Sequence, residues 1–229
     1  MILGNEICVI IPVYNEAKVI KSTLDLVLKH AAFAVCVDDG STDNSADIIA
    51  ESKAHLVGHA INMGQGAALQ TGIDYALQFD DVEYFVTFDS DGQHSILDVK
   101  KMLKVLKDRD VEIVLGSRFL GSTIKMSQVK RTLLKSAILF TNISTGLKLT
   151  DTHNGLRVFS RKVATDIDLQ LQDFAHASEF IEKIAKNKYS YAEVPVTITY
   201  TKYTMAKGQS IVNSVNILFD ILLDKLVKR

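Results

Sequence analysis

Up to Leu115 the chain repeats one pattern: an apolar, β-branched run stops at an aspartate- or glycine-bearing turn, and residues at helical spacing follow. Residues 7–13, Ile-Cys-Val-Ile-Ile-Pro-Val, form a continuous apolar run, as expected of a parallel strand covered on both faces. Further strands are predicted over 33–37, near Leu56 and Val57, over 84–88 and over 111–115. Between them, helical spacing predicts helices from about Val19 to Leu28, up to Ser52, from Ala67 to Phe79 and from Ile96 to Lys107. Short strand–helix alternation implies an α/β fold with a mostly parallel sheet flanked by helices. In such sheets ligands bind beyond the carboxyl ends of the strands, which is where the Asp- and Gly-bearing turns lie. Local chemistry adds finer expectations. Pro12 closes the first strand, Asn15 caps the first helix, and Ser41 or Thr42 caps the second.

Beyond Gly116 the pattern changes. Gly116-Ser-Arg-Phe-Leu-Gly121 reads as a turn, and a segment with Lys125, Lys130, Arg131 and Lys135 leads into an amphipathic helix ending near Ile143. A short strand is expected over 158–160 and a helix from about His176 to Lys186. Two strand pieces, 191–194 and 196–200, are expected to join through Pro195. From Ser210 to Arg229, Ile211, Val215, Leu218, Leu222 and Leu226 recur at helical spacing, predicting a C-terminal amphipathic helix. That stripe has three readings, in order of preference: a contact between copies of the chain, a membrane surface with Lys225, Lys228 and Arg229 at the headgroups, or internal core.

The length of 229 residues suits one largish domain, or one with an appendage. A formal net charge of -1 gives no global reason for nucleic-acid binding, so anion binding must be local. Cys8 and Cys36 lie within strand-like runs and read as buried reduced thiols, from which a cytosolic compartment is expected. The first residues lack the charged and apolar regions of a signal peptide, and no apolar run is long enough for a bilayer. A cytoplasmic protein is expected, either free or peripheral on the inner face of the membrane.

The most chemically suggestive stretch is Tyr84-Phe-Val-Thr-Phe-Asp-Ser-Asp-Gly-Gln-His94, where a strand ends at Asp89 and Asp91. Two carboxylates one residue apart, followed by a turn glycine, can present hard oxygens to one divalent cation and leave positions for phosphate and water. An acidic turn that merely closes a strand has the same composition. Ile10-Ile-Pro-Val-Tyr-Asn-Glu16, Val37-Asp-Asp-Gly-Ser-Thr-Asp43, Asn62-Met-Gly-Gln-Gly66, Phe88-Asp-Ser-Asp-Gly-Gln93, Gly116-Ser-Arg118 and Asp151-Thr-His-Asn-Gly-Leu-Arg157 follow in order. Together they resemble the family 2 glycosyltransferases of the GT-A fold, over roughly residues 6 to 205. The nearest branch resembles the polyprenyl-phosphate sugar synthases and small bacterial polysaccharide transferases.

The resemblance implies an inverting, metal-dependent transferase that moves a hexose from a nucleotide diphosphate sugar, preferably a UDP-sugar, to a lipid-linked or saccharide acceptor in cell-envelope glycan synthesis. It implies a nucleotide-sugar half over about 1–118, an acceptor half over about 119–205, and an appended loop and helix over 206–229. On its pattern Asp89, Asp91 and Gln93 hold Mg2+ or Mn2+. Pro12, Tyr14 and Glu16 match the first nucleotide-contacting loop, and Asp39 the carboxylate on base or ribose, a role Asp38 can also fill. Gly64 and Gly66 resemble a phosphate-cradling turn. Arg118, Arg131 and Arg157 are positive counterweights suited to phosphate, and Lys202 and Lys207 belong to a loop closing over the donor. A proton acceptor is expected near the helix at residue 176, from Asp173, His176 or Glu179, with Glu179 preferred; a phosphate acceptor would need none. His94 and His153 lie close to the metal motif and read first as hydrogen-bonding residues. A nucleotidyltransferase is disfavoured because Pro12-Val-Tyr-Asn-Glu16 stands where a glycine-rich basic loop is needed, and a dehydrogenase because the dinucleotide fingerprint is missing. A sugar-nucleotide-binding subunit without turnover is the non-enzymatic alternative.

Overall fold

The computed structural model describes residues 3–124, 126, 128–171, 175–200 and 203. The chain runs β1 (Leu3–Val13), α1 (Ile20–Leu28), β2 (Ala31–Asp38), α2 (Ser45–Ala50), β3 (His55–Gly58), α3 (Gln65–Leu77) and β4 (Tyr84–Thr87). It continues through α4 (Ile96–Asp108), β5 (Ile113–Ile124), α5 (Gln128–Thr145), β6 (Arg157–Ser160), α6 (Arg161–Asp166), α7 (Ala175–Asn187) and β7 (Tyr191–Thr199). Among the described residues the strands form one seven-stranded sheet in the order β3-β2-β1-β4-β6-β5-β7. The pairs β1/β2, β1/β4, β2/β3 and β5/β7 are parallel, and β6 is antiparallel to both β4 and β5. The expectation of a mostly parallel α/β sheet is met.

The period of a strand explains the two cores. Along β1, Val9, Ile11 and Val13 face one side, packing with Ile20 and Leu24 of α1, Ile49 of α2 and Val99 and Met102 of α4. Cys8 and Ile10 face the other, with Leu69 and Ile73 of α3, Val163 of α6 and Phe180 and Ile184 of α7. Cys8 and Cys36 are free and buried, and burial pushes both thiols up, Cys36 to about 12.

Several local expectations are corrected. Pro12 does not close β1, because Val13 still pairs with Asp38. The Ile10 carbonyl accepts from Phe88 N–H, so residues of that parity face β4; the β1/β4 register ends at Ile10 opposite Thr87, and Pro12 lies past the point where a donor is needed. Asn15 does not cap α1, which begins at Ile20 after Val19. It adopts a left-handed φ of 53°, its N–H donates to Ser41 Oγ at 2.9 Å, and its side-chain oxygen accepts from Thr42 N–H at 2.8 Å. Ser41 and Thr42 are thereby engaged with the neighbouring turn, and α2 starts later, at Ser45. The turns after β1 and β2 bind each other, an arrangement set by strand adjacency and not by helix-cap chemistry.

Gly116 to Gly121 is not a turn either. It lies within β5, whose register on β7 slips between Ser117 and Ser122, so the glycines serve an irregular, close strand contact. A Cβ on Gly121 would lie 2.1 Å from the Val196 carbonyl oxygen. The two pieces expected around Pro195 are one strand, β7, at the sheet's edge, where a missing N–H is tolerated. The C-terminal helix expected from Ser210 lies outside the described residues.

Candidate active site

The sheet order puts the ends of β2, β1 and β4 side by side, so the motifs after them share one edge. Asp39 donates its N–H to the Val13 carbonyl at 2.8 Å, and its carboxylate is fully committed. Oδ1 accepts from Met63 N–H at 2.8 Å and lies 2.7 Å from His59 Nδ1; Oδ2 accepts from Gly64 N–H at 2.8 Å. Asp39 thus shapes the 62–64 turn, where Gly64 takes a φ of 92°. Asp38 differs: Oδ2 accepts from Ser41 N–H at 3.2 Å, while Oδ1 is buried without a partner. Pro12 is buried within β1 and Tyr14 is exposed at the strand's end. Glu16 is buried and accepts at Oε2 from the Tyr203 hydroxyl at 2.7 Å, joining a residue beyond β7 to the first loop.

Gly66, read as part of a phosphate cradle, is a packing glycine here. A Cβ on it would lie 2.1 Å from the Leu171 carbonyl oxygen and 2.9 Å from His176 Cβ, so it seats the start of α3 against the segment entering α7.

Asp89 and Asp91 follow β4, with Gly92 at a φ of 76° turning the chain between them and α4. Asp89 Oδ2 lies 2.8 Å from His94 Nε2, and Oδ1 accepts from Gln65 Nε2 at 3.3 Å. The carboxylate rests on Gly155, where a Cβ would come within 2.5 Å of both its oxygens. Burial works to raise the Asp89 pKa, but His94, by charge and hydrogen bond, and then Arg157 and His176 hold it below the usual range. Asp91 is pushed the other way, first by burial and then by the negative charge of Asp89. Gln93 donates its N–H to Asp91 Oδ1 at 3.0 Å and its side-chain amide to Oδ2.

The 150s loop is held from two sides. Glu193 on β7 accepts from Thr150 N–H at 2.9 Å and from Asp151 N–H at 3.1 Å. Asp151 Oδ2 accepts from Arg118 N–H at 3.0 Å and Arg118 Nε at 2.6 Å. Arg118 also donates to the His153 carbonyl at 2.5 Å and to the Tyr200 hydroxyl at 3.3 Å. With Asp151 3% and Arg118 9% exposed, this arginine, read from the sequence as a counterweight for phosphate, braces the loop.

His153 is pulled down to about 4, chiefly by burial, with Asp151 opposing and Arg118 and Arg157 assisting. Its folded pKa lies below the ordinary value of 6.5, so the folded state binds fewer protons than the unfolded one. The stability from the neutral ring is complete above about pH 6.5 and is lost as pH falls through about 4. Thermal unfolding across that window is expected to show this acid slope, and His153→Gln to flatten it by roughly one proton. An unaltered slope in the variant would contradict the assignment.

Glu179, the preferred proton acceptor, is turned to structure. Its carboxylate accepts from Gln170 N–H at 3.0 Å and Leu171 N–H at 2.9 Å, and Lys183 Nζ lies 3.5 Å away. His176 is buried at the start of α7, and its charge is felt at Asp89. Asp173, Lys202 and Lys207 lie outside the described residues. Arg131 is exposed on α5, its guanidinium 5.9 Å from the Phe119 ring. Arg157, read as a phosphate counterweight, is 1% exposed, with its guanidinium carbon 4.5 Å from the Phe180 ring centroid. Sequence reasoning also missed the loop-anchoring roles of His59, Gly155 and Glu193; the Asn-Gly pair in Asp151–Arg157 was the available signal for Gly155.

Among the described residues no group of three or more His, Cys, Asp or Glu side chains forms a ready metal cluster, and no helix is long and apolar enough to cross a membrane. The family described as Glycosyl transferase family 2 matches residues 8–168. The chain is 31% identical to a UDP-N-acetylglucosamine--dolichyl-phosphate N-acetylglucosaminyltransferase of Methanococcus voltae over 244 residues, 97% of each chain. It is 28% identical to a polyprenol monophosphomannose synthase of Mycolicibacterium smegmatis, covering 87% of this chain and 79% of that one. In fold it is similar to glucosyl-3-phosphoglycerate synthase from Mycobacterium tuberculosis, crystallised with Mn2+, UDP and glucosyl-3-phosphoglycerate. The TM-score is 0.66 at 18% identity, over 95% of this chain and 80% of that one. The chain belongs to glycosyl transferase family 2 and is a glycosyltransferase of the GT-A fold.

Proposed function

We propose that the enzyme transfers a hexose or N-acetylhexosamine from a UDP-sugar to a polyprenyl phosphate, with inversion at the anomeric carbon and with Mg2+ or Mn2+ bound. The observation that carries this reading is the Asp89 carboxylate seated against the bare backbone of Gly155, with Asp91 two residues further along the same strand-end turn. Two hard carboxylates, the second raised by burial and then by its neighbour's charge, suit a divalent cation, and a side chain at position 155 would fill the space Asp89 occupies. Asp89 and Asp91 would hold the ion, with the Gln93 amide oxygen as a neutral donor. Bound there, the ion supplies Lewis-acid stabilisation of the charge gathering on the departing β-phosphate.

The protein's own groups do the rest. Tyr14, exposed at the end of β1, packs on the base, with Pro12 and Glu16 shaping that loop. At the end of β2, Asp38 offers the unpaired oxygen that base or ribose can bond, while Asp39 fixes the turn beside it. In the displacement one acceptor phosphate oxygen bonds to the anomeric carbon as the bond from that carbon to the diphosphate oxygen breaks. A phosphate acceptor is already an anion and needs no base, which agrees with Glu179 being committed to Gln170, Leu171 and Lys183. Arg131 and Lys207 are the cations assigned to phosphate.

The lipid part of the acceptor is supported by α5, which exposes Val129, Leu139 and Ile143 on a helix that also carries Arg131 and Lys135. The M. voltae and M. smegmatis relatives, named for dolichyl phosphate and polyprenol, support the same acceptor, and the UDP-sugar in the first name supports the donor. A peripheral position on the inner face of a membrane follows from that acceptor. The test is to incubate the enzyme with Mn2+, a short-chain polyprenyl phosphate and a panel of UDP- and GDP-sugars, and to weigh the lipid product. A glycosyl phospholipid from a UDP-sugar is expected; a modified saccharide acceptor with the lipid phosphate untouched would overturn the reading.

A further inference from the structure

His94 fills a place that packing alone would give to an aliphatic side chain. It lies between β4 and α4, five residues after Asp89, and the left-handed turn at Gly92 brings its imidazole back to the strand end. The residue is 6% exposed, and its ring meets that of Phe88 at 64° with the centroids 5.5 Å apart. Nε2 lies 2.8 Å from Asp89 Oδ2, while Nδ1 is buried with no hydrogen-bond partner among the described residues. A leucine here would keep the contact with Phe88 and leave no buried nitrogen unpaired, so the imidazole carries a cost that leucine would not. Departures of this kind are expected where function demands them.

The Asp89 carboxylate indicates the demand. An ionised carboxylate only accepts, so the proton of this hydrogen bond belongs to Nε2. Gln65, the first residue of α3, donates its side-chain amide to the other oxygen, Oδ1, at 3.3 Å. The group is therefore held by one donor at each oxygen and seated against Gly155, where a Cβ would come within 2.5 Å of both. Each carboxylate oxygen has two lone-pair sites, so one donor on each leaves capacity for a cation. Asp91, by contrast, accepts from Gln93 within its own turn.

We propose that His94 is a positioning residue for Asp89: its Nε2–H fixes the orientation of the carboxylate so that the remaining lone pairs are set for a divalent cation. This inference rests on the metal reading given under Proposed function. It is tested with His94→Leu and His94→Gln in the full chain, measuring Mn2+ affinity by calorimetry in the presence of UDP and the thermal midpoint without metal. His94→Leu is expected to keep a midpoint close to that of the wild type and to bind Mn2+ about 10- to 100-fold more weakly, as loss of a partner that orients a metal ligand does. His94→Gln, whose amide can place a donor near the position of Nε2, is expected to recover most of that affinity. Unchanged Mn2+ affinity in His94→Leu would overturn the assignment. So would a His94→Leu protein that fails to fold, or a loss of affinity that glutamine does not recover, since either gives the ring a packing role. If the wild-type enzyme itself binds no Mn2+, the metal reading fails and takes this inference with it, a result distinct from equal binding by wild type and His94→Leu.

Discussion

Asp91→Ala is expected to lower metal-dependent donor turnover by about a thousandfold, the scale on which a preorganised charge-stabilising group acts, while leaving the fold at least as stable. The two effects have one cause. The Asp91 carboxyl group is raised by burial and by the charge of Asp89. A carboxyl group raised in the folded state is more readily protonated there than in the unfolded chain, so its negative charge at neutral pH opposes folding. Alanine removes that opposition. Gly92 still supplies the turn, at a φ of 76°, and Gln93, which is only partly buried, loses the acceptor of its backbone N–H and of its side-chain amide, both of which water can replace. Nucleotide release at saturating Mn2+ and a thermal scan on the same preparation check the pair of outcomes. Activity within tenfold of wild type would refute the metal assignment.

Asp151→Ala should do the reverse and damage the fold first. Asp151 is almost inaccessible and takes both the backbone N–H and Nε of Arg118, at 3.0 and 2.6 Å. Removing it leaves a buried guanidinium without its counter-charge, a change that typically costs about 3–5 kcal/mol. For a chain of this size that corresponds to a fall in thermal midpoint of roughly 10 °C. Arg157 loses a nearby counter-charge as well. Pairing the change with Arg118→Met is expected to recover part of the loss, because the stranded charge goes with the arginine. Urea denaturation of the three variants checks this; a loss under about 1 kcal/mol in Asp151→Ala would mean the pair is no stronger than a surface ion pair.

Much of the fold was legible because β1, β2 and β4 are buried on both faces and so read as continuous apolar runs, while α4 carries a clean amphipathic period and Ser95 at its N-cap. What escaped was set by partners distant in sequence. That β5 continues through Gly116–Gly121 depends on β7, and the single strand through Pro195 depends on β7 being an edge. The six-residue α6 is too short for a period to mark. At the site, the acidic pair could be read because strand composition ends at it. The division of labour between Asp38 and Asp39 could not, since it turns on backbone donors at Met63 and Gly64. Glu179 likewise looked available by position alone and is held by the chain at 170–171. Arg157 was legible as a cation but not as a buried one, because burial there comes from α7 packing over β6 through Phe180.

The most direct measurement is the initial rate of UDP release from a UDP-sugar with Mn2+, with and without a short-chain polyprenyl phosphate. A rate that rises steeply with the lipid phosphate, and vanishes when Mn2+ is chelated, is the predicted result. Release that is indifferent to the lipid phosphate but accelerated by a saccharide would contradict the acceptor assigned here and return attention to His176 and Asp173 as proton acceptors.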